Sequence, residues 1–277
     1  MSKVNLAKAT GVSSPGAAAP KNEIIIFEAD GVIFPNSDQG GVLIEGSFVL
    51  PSGDKMVTVY STKSKTEASM ETEGDEDSMS FKSMVKLQHP GNSKAVKEFI
   101  QFWTGKNVIV MHKACGENHY EVCGTPCAPL QLKAAKQDNN DGRFWTMSFE
   151  PFAKSGFVPK IYEGAVVIAA PFEVADLTVI PAIADNGVQY QLPSNNNGDE
   201  IGFGQVINAH GTILTIIGGG GSDPAILTPT AVSNVVGWNF KVILKGGQNW
   251  VALQGAVINF RSFQAGNDNY LIELSRG

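Results

Sequence analysis

The residue types best able to do chemistry in this chain are gathered in one stretch: His112, Cys115, His119, Cys123 and Cys127. Thiolate sulfur and imidazole nitrogen are the ligands of structural zinc, and a cysteine beside a histidine is the start of a nucleophilic pair. The spacing supports neither. There is no C-x-x-C knuckle. A nucleophilic pair also needs a third, orienting group and an oxyanion site, which the closeness of His112 and Cys115 in sequence does not supply. A metal site, a disulfide between two of the cysteines, and small packing residues near a hairpin all fit. The last is the expectation, with no metal. Three cysteines, an odd number, argue against a disulfide framework.

Other chemical signatures are missing. No G-x-S-x-G, H-E-x-x-H or G-x-x-x-x-G-K-[ST] motif occurs. The run Gly218 to Gly221 is followed by Ser222-Asp223-Pro224, without the lysine and helix start of a phosphate cradle. It reads as a mobile turn, and Gly202-Phe203-Gly204 as strand-edge glycine. Neither an enzymatic activity nor a cofactor is expected. Trp238, Trp250, Tyr190 and Tyr270 could form an aromatic platform for a sugar, or serve as core and edge packing.

The most informative segment is Thr66 to Ser80, which carries Glu67, Glu71, Glu73, Asp75, Glu76 and Asp77 and no basic residue. It lacks the ligand alternation and terminal glutamate of a calcium loop. Either it is a solvated loop, or it is a long hairpin arm that orders against a neighbouring subunit.

The elements around these residues read mainly as strands. Glu23 to Glu28 is a short apolar run. Val42 to Leu50 and Asp54 to Thr62 flank Pro51-Ser52-Gly53, which predicts a hairpin. In Phe81 to Gln88, the residues Phe81, Ser83, Val85 and Leu87 alternate with Lys82, Met84, Lys86 and Gln88, the period of a half-buried strand. One segment has helical period: Val96, Phe99, Ile100 and Trp103 share a face, with Asn92 or Ser93 to cap the start and Gly105 to end it. Short strands fill the C-terminal part. Ala209-His210-Gly211 and Gly246-Gly247-Gln248 read as hairpin loops, and no repeat is evident.

Composition divides the chain near Lys160. Residues 1–160 hold 17 basic and 18 acidic side chains, residues 161–277 only 4 and 9, so the second part is a separate, weakly charged β domain. Residues 1–20 read as a flexible arm, 21–160 as one domain and 161–277 as another. The net charge of −6 argues against specific nucleic-acid binding. No apolar run is long enough to span a membrane, and no signal peptide is evident, so synthesis and folding in a cytoplasm are expected.

Residues 20–160 resemble the major tail tube protein of long-tailed bacteriophages, whose fold is shared with contractile-tail and type VI secretion tubes. The matching pieces are the acidic loop, the strand SFKSMVKLQ, the helix NSKAVKEFIQFWTG, the strand NVIVMHK and the closing phrase CAPLQLKAAKQDNNDGRFWTMSFE. The C-terminal part, with FGQVINAHGTILTIIGG, is similar to β modules that decorate such tubes. The resemblance implies a β sandwich or barrel with one flanking helix, plus a small second β sandwich. It implies a virion subunit, assembled in the host cytoplasm, that forms hexameric rings stacked into a conduit for DNA ejection. The six acidic residues would form an inter-ring arm, and Val96, Phe99, Ile100 and Trp103 would pack the helix on the sheet. Partners would be further copies, then terminator, tape measure and baseplate proteins, with genomic DNA passing unbound and no membrane. Another phage ring, terminator or decoration protein is the nearest alternative, and a carbohydrate-binding adhesion module the next.

Overall fold

The computed structural model describes residues 23–277 except 140–141, 179, 183–185, 205–209, 230–238 and 266–267. The arm assigned to residues 1–20 therefore lies outside the described residues. The chain is mainly β, with one α-helix among the described residues. It divides into two compact units: residues 1–43 with 55–162, and residues 44–54 with 163–277.

The first unit contains β1 (Glu23–Glu28), β2 (Leu43–Ile44), β3 (Val57–Tyr60), β4 (Glu67–Glu73), β5 (Ser80–Pro90), α1 (Lys94–Trp103), β6 (Val108–His112), β7 (Tyr120–Cys123), β8 (Leu130–Asn139), β9 (Gly142–Pro151) and β10 (Lys160–Tyr162). Their sheet runs β2-β10-β7-β6-β8-β9-β5-β4, with β1 paired to β3 and β6. β6 is buried along its whole length because β1 and β7 flank it, which suits its run of β-branched and apolar residues. The core gathers Ile24, Ile26, Val85, Leu87, Leu132 and Phe149. The helix closes one side of that core. Ser93 caps it by accepting from the Val96 amide, Val96 and Trp103 are buried, and Phe99 and Ile100 pack partly buried beside them. Gly105, at φ +82°, takes the left-handed turn that ends it.

The second unit contains β11 (Phe172–Glu173), β12 (Gln189–Gln191), β13 (Ile213–Ile217), β14 (Ile226–Leu227), β15 (Asn239–Ile243), β16 (Trp250–Val251), β17 (Val257–Ala265) and β18 (Asp268–Arg276). The six-stranded sheet runs β11-β12-β13-β17-β18-β15, and β14 pairs with β16. The expected hairpin at Gly246-Gly247-Gln248 is absent: it joins β15 to β16, which belong to different sheets. Ala209 of the other expected loop lies outside the described residues.

Three lengths of chain stack in parallel. Phe172 lies opposite Tyr190, and Tyr190 opposite Ile216. Beyond the strands the stack continues through Asn195 N–H to Gly220 O and Ile201 N–H to Ile226 O, at 2.9 and 2.8 Å. This explains the glycine run, which is not a mobile turn. Gly218, Gly219 and Gly220 are buried between neighbouring backbones. A Cβ on Gly219 would lie 2.2 Å from Pro193 O, and one on Gly221 1.7 Å from Asn195 O. Only glycine allows so close an approach.

The expected hairpin around Pro51-Ser52-Gly53 also fails. The turn itself forms, with the Asp54 amide donating to Pro51 O at 3.0 Å. Its flanks do not pair with each other: β3 pairs with β1, while residues 44–54 belong to the second unit. Polar groups of that unit hold them. Asn259 Oδ1 accepts from the Ser47 amide at 3.1 Å, Gln189 Nε2 donates to Phe48 O at 2.7 Å, and Ser275 Oγ donates to Glu45 O.

Candidate assembly surface

The acidic segment is a β-hairpin. β4 pairs with β5 in register from Glu67 opposite Lys86 to Glu73 opposite Ser80. Gly74, at φ +142°, makes the bend, where a Cβ would lie 2.2 Å from Ser78 O. Glu67, Glu71 and Glu73 share one face of β4, and Asp75, Glu76 and Asp77 sit in the connecting loop. β9 pairs with β5 only from Val85 onward, so beyond that point the hairpin extends past β9, tied on that side by the Phe81–Ser155 bridge.

The strands β8, β9, β5 and β4 form a sheet with two unlike faces. Leu132, Phe149, Val85 and Ala68 line up on the face that bears the core. Gln131, Lys133, Ser148, Glu150, Lys82, Lys86, Glu67 and Glu71 occupy the other. Each of these lysines has a carboxylate beside it. Lys133 Nζ meets Glu150 Oε2 at 2.7 Å, Lys82 stands opposite Glu71, and Lys86 stands opposite Glu67. The Lys133 hydrogen bond, then that of Ser148, holds the Glu150 carboxyl below its usual range. The face is polar and nearly neutral, with no cluster of unmatched cations among the described residues to grip a phosphate chain.

Both ends of this sheet are open. β4 ends the strand order and is exposed along its length. At the other end, β8 pairs with β6 only at Leu130, opposite Val108, so from Gln131 to Asp138 it has one strand partner among the described residues. The two edges differ in charge. β4 brings Glu67, Glu71 and Glu73, the last 3.8 Å from Lys154. β8 brings Lys133 and Lys136, with Arg143 alongside on β9; Asp138 joins Lys136 at 3.0 Å and Arg143 at 2.9 Å. Long open edges template pairing with another chain.

No family model, curated protein or solved structure matches this chain.

Of the five candidate ligands, the structure brings two together. His112 ends β6 and Cys123 ends β7, with Nε2 and Sγ 3.7 Å apart and both residues buried. Glu121, which the sequence reading missed, joins them at 3.4 Å because β6–β7 pairing sets it directly opposite His112. Cys115 and Cys127 are exposed, and all three cysteines are free. Among the described residues no group of three or more His, Cys, Asp or Glu is arranged to hold a metal ion. Burial, then the Glu121 charge, pushes the Cys123 thiol up to about 12, which makes it a poor nucleophile. Burial lowers the His112 pKa, against the attraction of Glu121 and Glu117.

The aromatic platform is not assembled either. Tyr190 and Trp250 are buried in the core of the second unit, Tyr270 is partly buried on β18, and Trp238 lies outside the described residues.

Proposed function

We propose that this chain is a non-enzymatic structural subunit that joins copies of itself edge to edge, forming rings that stack into a tail-tube conduit for DNA. The observation that carries this reading is the sheet with two open edges, β4 bearing Glu67, Glu71 and Glu73 and β8 bearing Lys133 and Lys136. Adding β4 of one copy to β8 of the next is a head-to-tail contact, which yields a ring when its rotation closes. Closure removes both edges. The neutralised polar face then suits a wall along which a polyanion slides without sticking. The acidic hairpin, projecting past β9, is placed to reach a neighbouring copy or the next ring, and the second unit stands as a decoration.

Negative-stain electron microscopy at several concentrations tests the class. Hollow rings or tubes are expected, and isolated particles at every concentration would sink it. The edges are tested by charge exchange. Glu67→Lys with Glu71→Lys should abolish assembly of a folded subunit, and so should Lys133→Glu with Lys136→Glu. Mixing the two reversed proteins brings together one acidic and one basic edge of swapped sign, so mixed oligomers should form where neither protein alone assembles. Unaffected assembly by either variant would refute the pairing.

A further inference from the structure

The pairing of β8, β9, β5 and β4 fixes which backbone groups each open edge offers. Gly91 N–H donates to Arg143 O at 2.9 Å, so the odd-numbered residues of β9 turn their N–H and C=O toward β5. Its even-numbered residues turn theirs toward Gln131, Lys133, Ala135 and Gln137 of β8. On β8, therefore, Leu132, Ala134, Lys136 and Asp138 face the open side, while Leu130, next in that series, faces Val108 of β6. β5 repeats the alternation. Its odd-numbered residues face β9 and its even-numbered ones face Glu67, Ser69, Glu71 and Glu73, which leaves Ala68, Met70 and Thr72 outward on β4. The outward residues of both edges carry their side chains on the face that bears the core, as Leu132 and Ala68 do. The four strands alternate in direction, so in a ring of equivalent copies β4 runs antiparallel to the β8 that follows it.

Few registers let outward groups pair while both faces continue across that joint. Within one copy Lys133 shares a row with Glu67, and the joint must keep that row or shift from it, toward the end of β8, by an even number of residues. Keeping the row sets Met70 against Leu130, and a shift of two sets Thr72 there; β6 already holds that position. A shift of four clears it. One residue of shift per strand, at a rise of about 3.4 Å and a strand spacing of about 4.8 Å, tilts the strands by about 35°, within the range of about 35–45° found in closed sheets. A shift of six would tilt them by about 47° and leave buried Leu132 with no strand on its open side among the described residues.

The tilt also has a hand. Seen from the polar face with β8 running upward, β9 lies to its right, because Lys133 projects from that face while its backbone bonds to β9. The shift of four then leans the strands as a right-handed helix if the polar face is inside the ring, and as a left-handed one if it is outside. The right-handed twist of strands selects the first.

We propose that copies join β4 to β8 of the next copy in this one register: Thr72 opposite Leu132, Met70 opposite Ala134, Ala68 opposite Lys136 and, on the polar face that lines the ring, Glu71 opposite Lys133. This register rests on the assembly reading above. Charges alternate across the joint, from Lys82 and Glu71 of one copy to Lys133 and Glu150 of the next.

Register-specific disulfides test this in the full-length protein, with the exposed Cys115 and Cys127 replaced by serine. Ser69 and Ala135 are exposed and become a non-hydrogen-bonded pair across the joint. Their Cα atoms then stand about 4.5 Å apart, within disulfide reach. On oxidation with copper phenanthroline, Ser69→Cys with Ala135→Cys should give a ladder of covalent multimers on a non-reducing gel. Ser69→Cys with Lys133→Cys, or with Gln137→Cys, places the sulfurs on diagonal positions about 7–8 Å apart and should react about tenfold more slowly or not at all. Should the double variant fail to assemble, the single variants decide: Ser69→Cys and Ala135→Cys mixed in equal amounts should give covalent dimers that neither gives alone, and their absence would overturn the register. Rings whose fastest ladder comes from another pair, or from none, would overturn the register and leave the assembly reading standing. Isolated wild-type particles at every concentration would overturn both.

Discussion

Asn259→Ala should unseat the 44–54 segment from the second unit. Asn259 is 3 % exposed and serves three partners: it accepts from the Ser47 amide at 3.1 Å and the Thr215 hydroxyl at 2.8 Å, and donates to Ser275 Oγ at 3.2 Å. Removing it orphans two buried donors, since Ser275 keeps its bond to Glu45 O. Each orphan costs about 1–3 kcal/mol, and water entering the vacated space offsets part of that, leaving about 2–4 kcal/mol. Against a total stability of about 5–15 kcal/mol this is a large loss. With a urea dependence of about 1–3 kcal/mol per molar, the midpoint of the second unit's unfolding, followed by tryptophan fluorescence in a protein whose Trp103 and Trp145 are replaced by Phe, should fall by about 1–2 M. Limited proteolysis should cut between Ile44 and Asp54 sooner in the variant. Gly46→Ala attacks the same node, because its Cβ would lie 2.5 Å from Asn259 Nδ2. Removing the Asn259 amide relieves that clash, so the double variant should lose less than the two single losses combined. A midpoint within error of wild type, with unchanged protease resistance, would refute the clamp.

Truncation after Tyr162 should give an aggregating protein, since Phe48, Val49 and Leu50 lose the unit that buries them; replacing residues 44–54 with a short polar linker should restore solubility, as read by size-exclusion chromatography. An aromatic disulfide reagent near neutral pH should titrate two thiols quickly, Cys115 and Cys127, and the third only on unfolding, because burial holds the Cys123 thiol at about 12. Fast labelling of all three in the native state would contradict the buried setting of Cys123.

What the sequence reveals is local. The spacing of Val96, Phe99, Ile100 and Trp103 marks the helix, and the alternation from Phe81 to Gln88 marks the strand, because each pattern is set by which neighbours along the chain share a face. The acidic run reads from sequence as a loop or as a hairpin, and the pairing of β4 with β5 around Gly74 decides for the hairpin. The parallel stack is not legible. Its contacts join backbones far apart in sequence, and its three lengths need share no residue pattern. The glycine run looked free because what makes it necessary, the Pro193 and Asn195 carbonyls, lies elsewhere in the chain. Glu121 became a neighbour of His112 only through strand register, and an ordinary polar residue such as Asn259 gives no sign of the segment it captures. The glutamates of β4 and the lysines of β8 are readable as composition. That both strands are edges follows only from the pairing.

The capture of residues 44–54 also makes the boundary after Tyr162 a natural place to divide the protein. A polypeptide ending there keeps one strip of the missing half, and the remaining polypeptide keeps the Asn259, Gln189 and Ser275 groups that recognise it. The two pieces thus carry a matched lock and key, as in fragment complementation. Cargo fused to the second piece could be added after the first piece has been made, without a covalent joint.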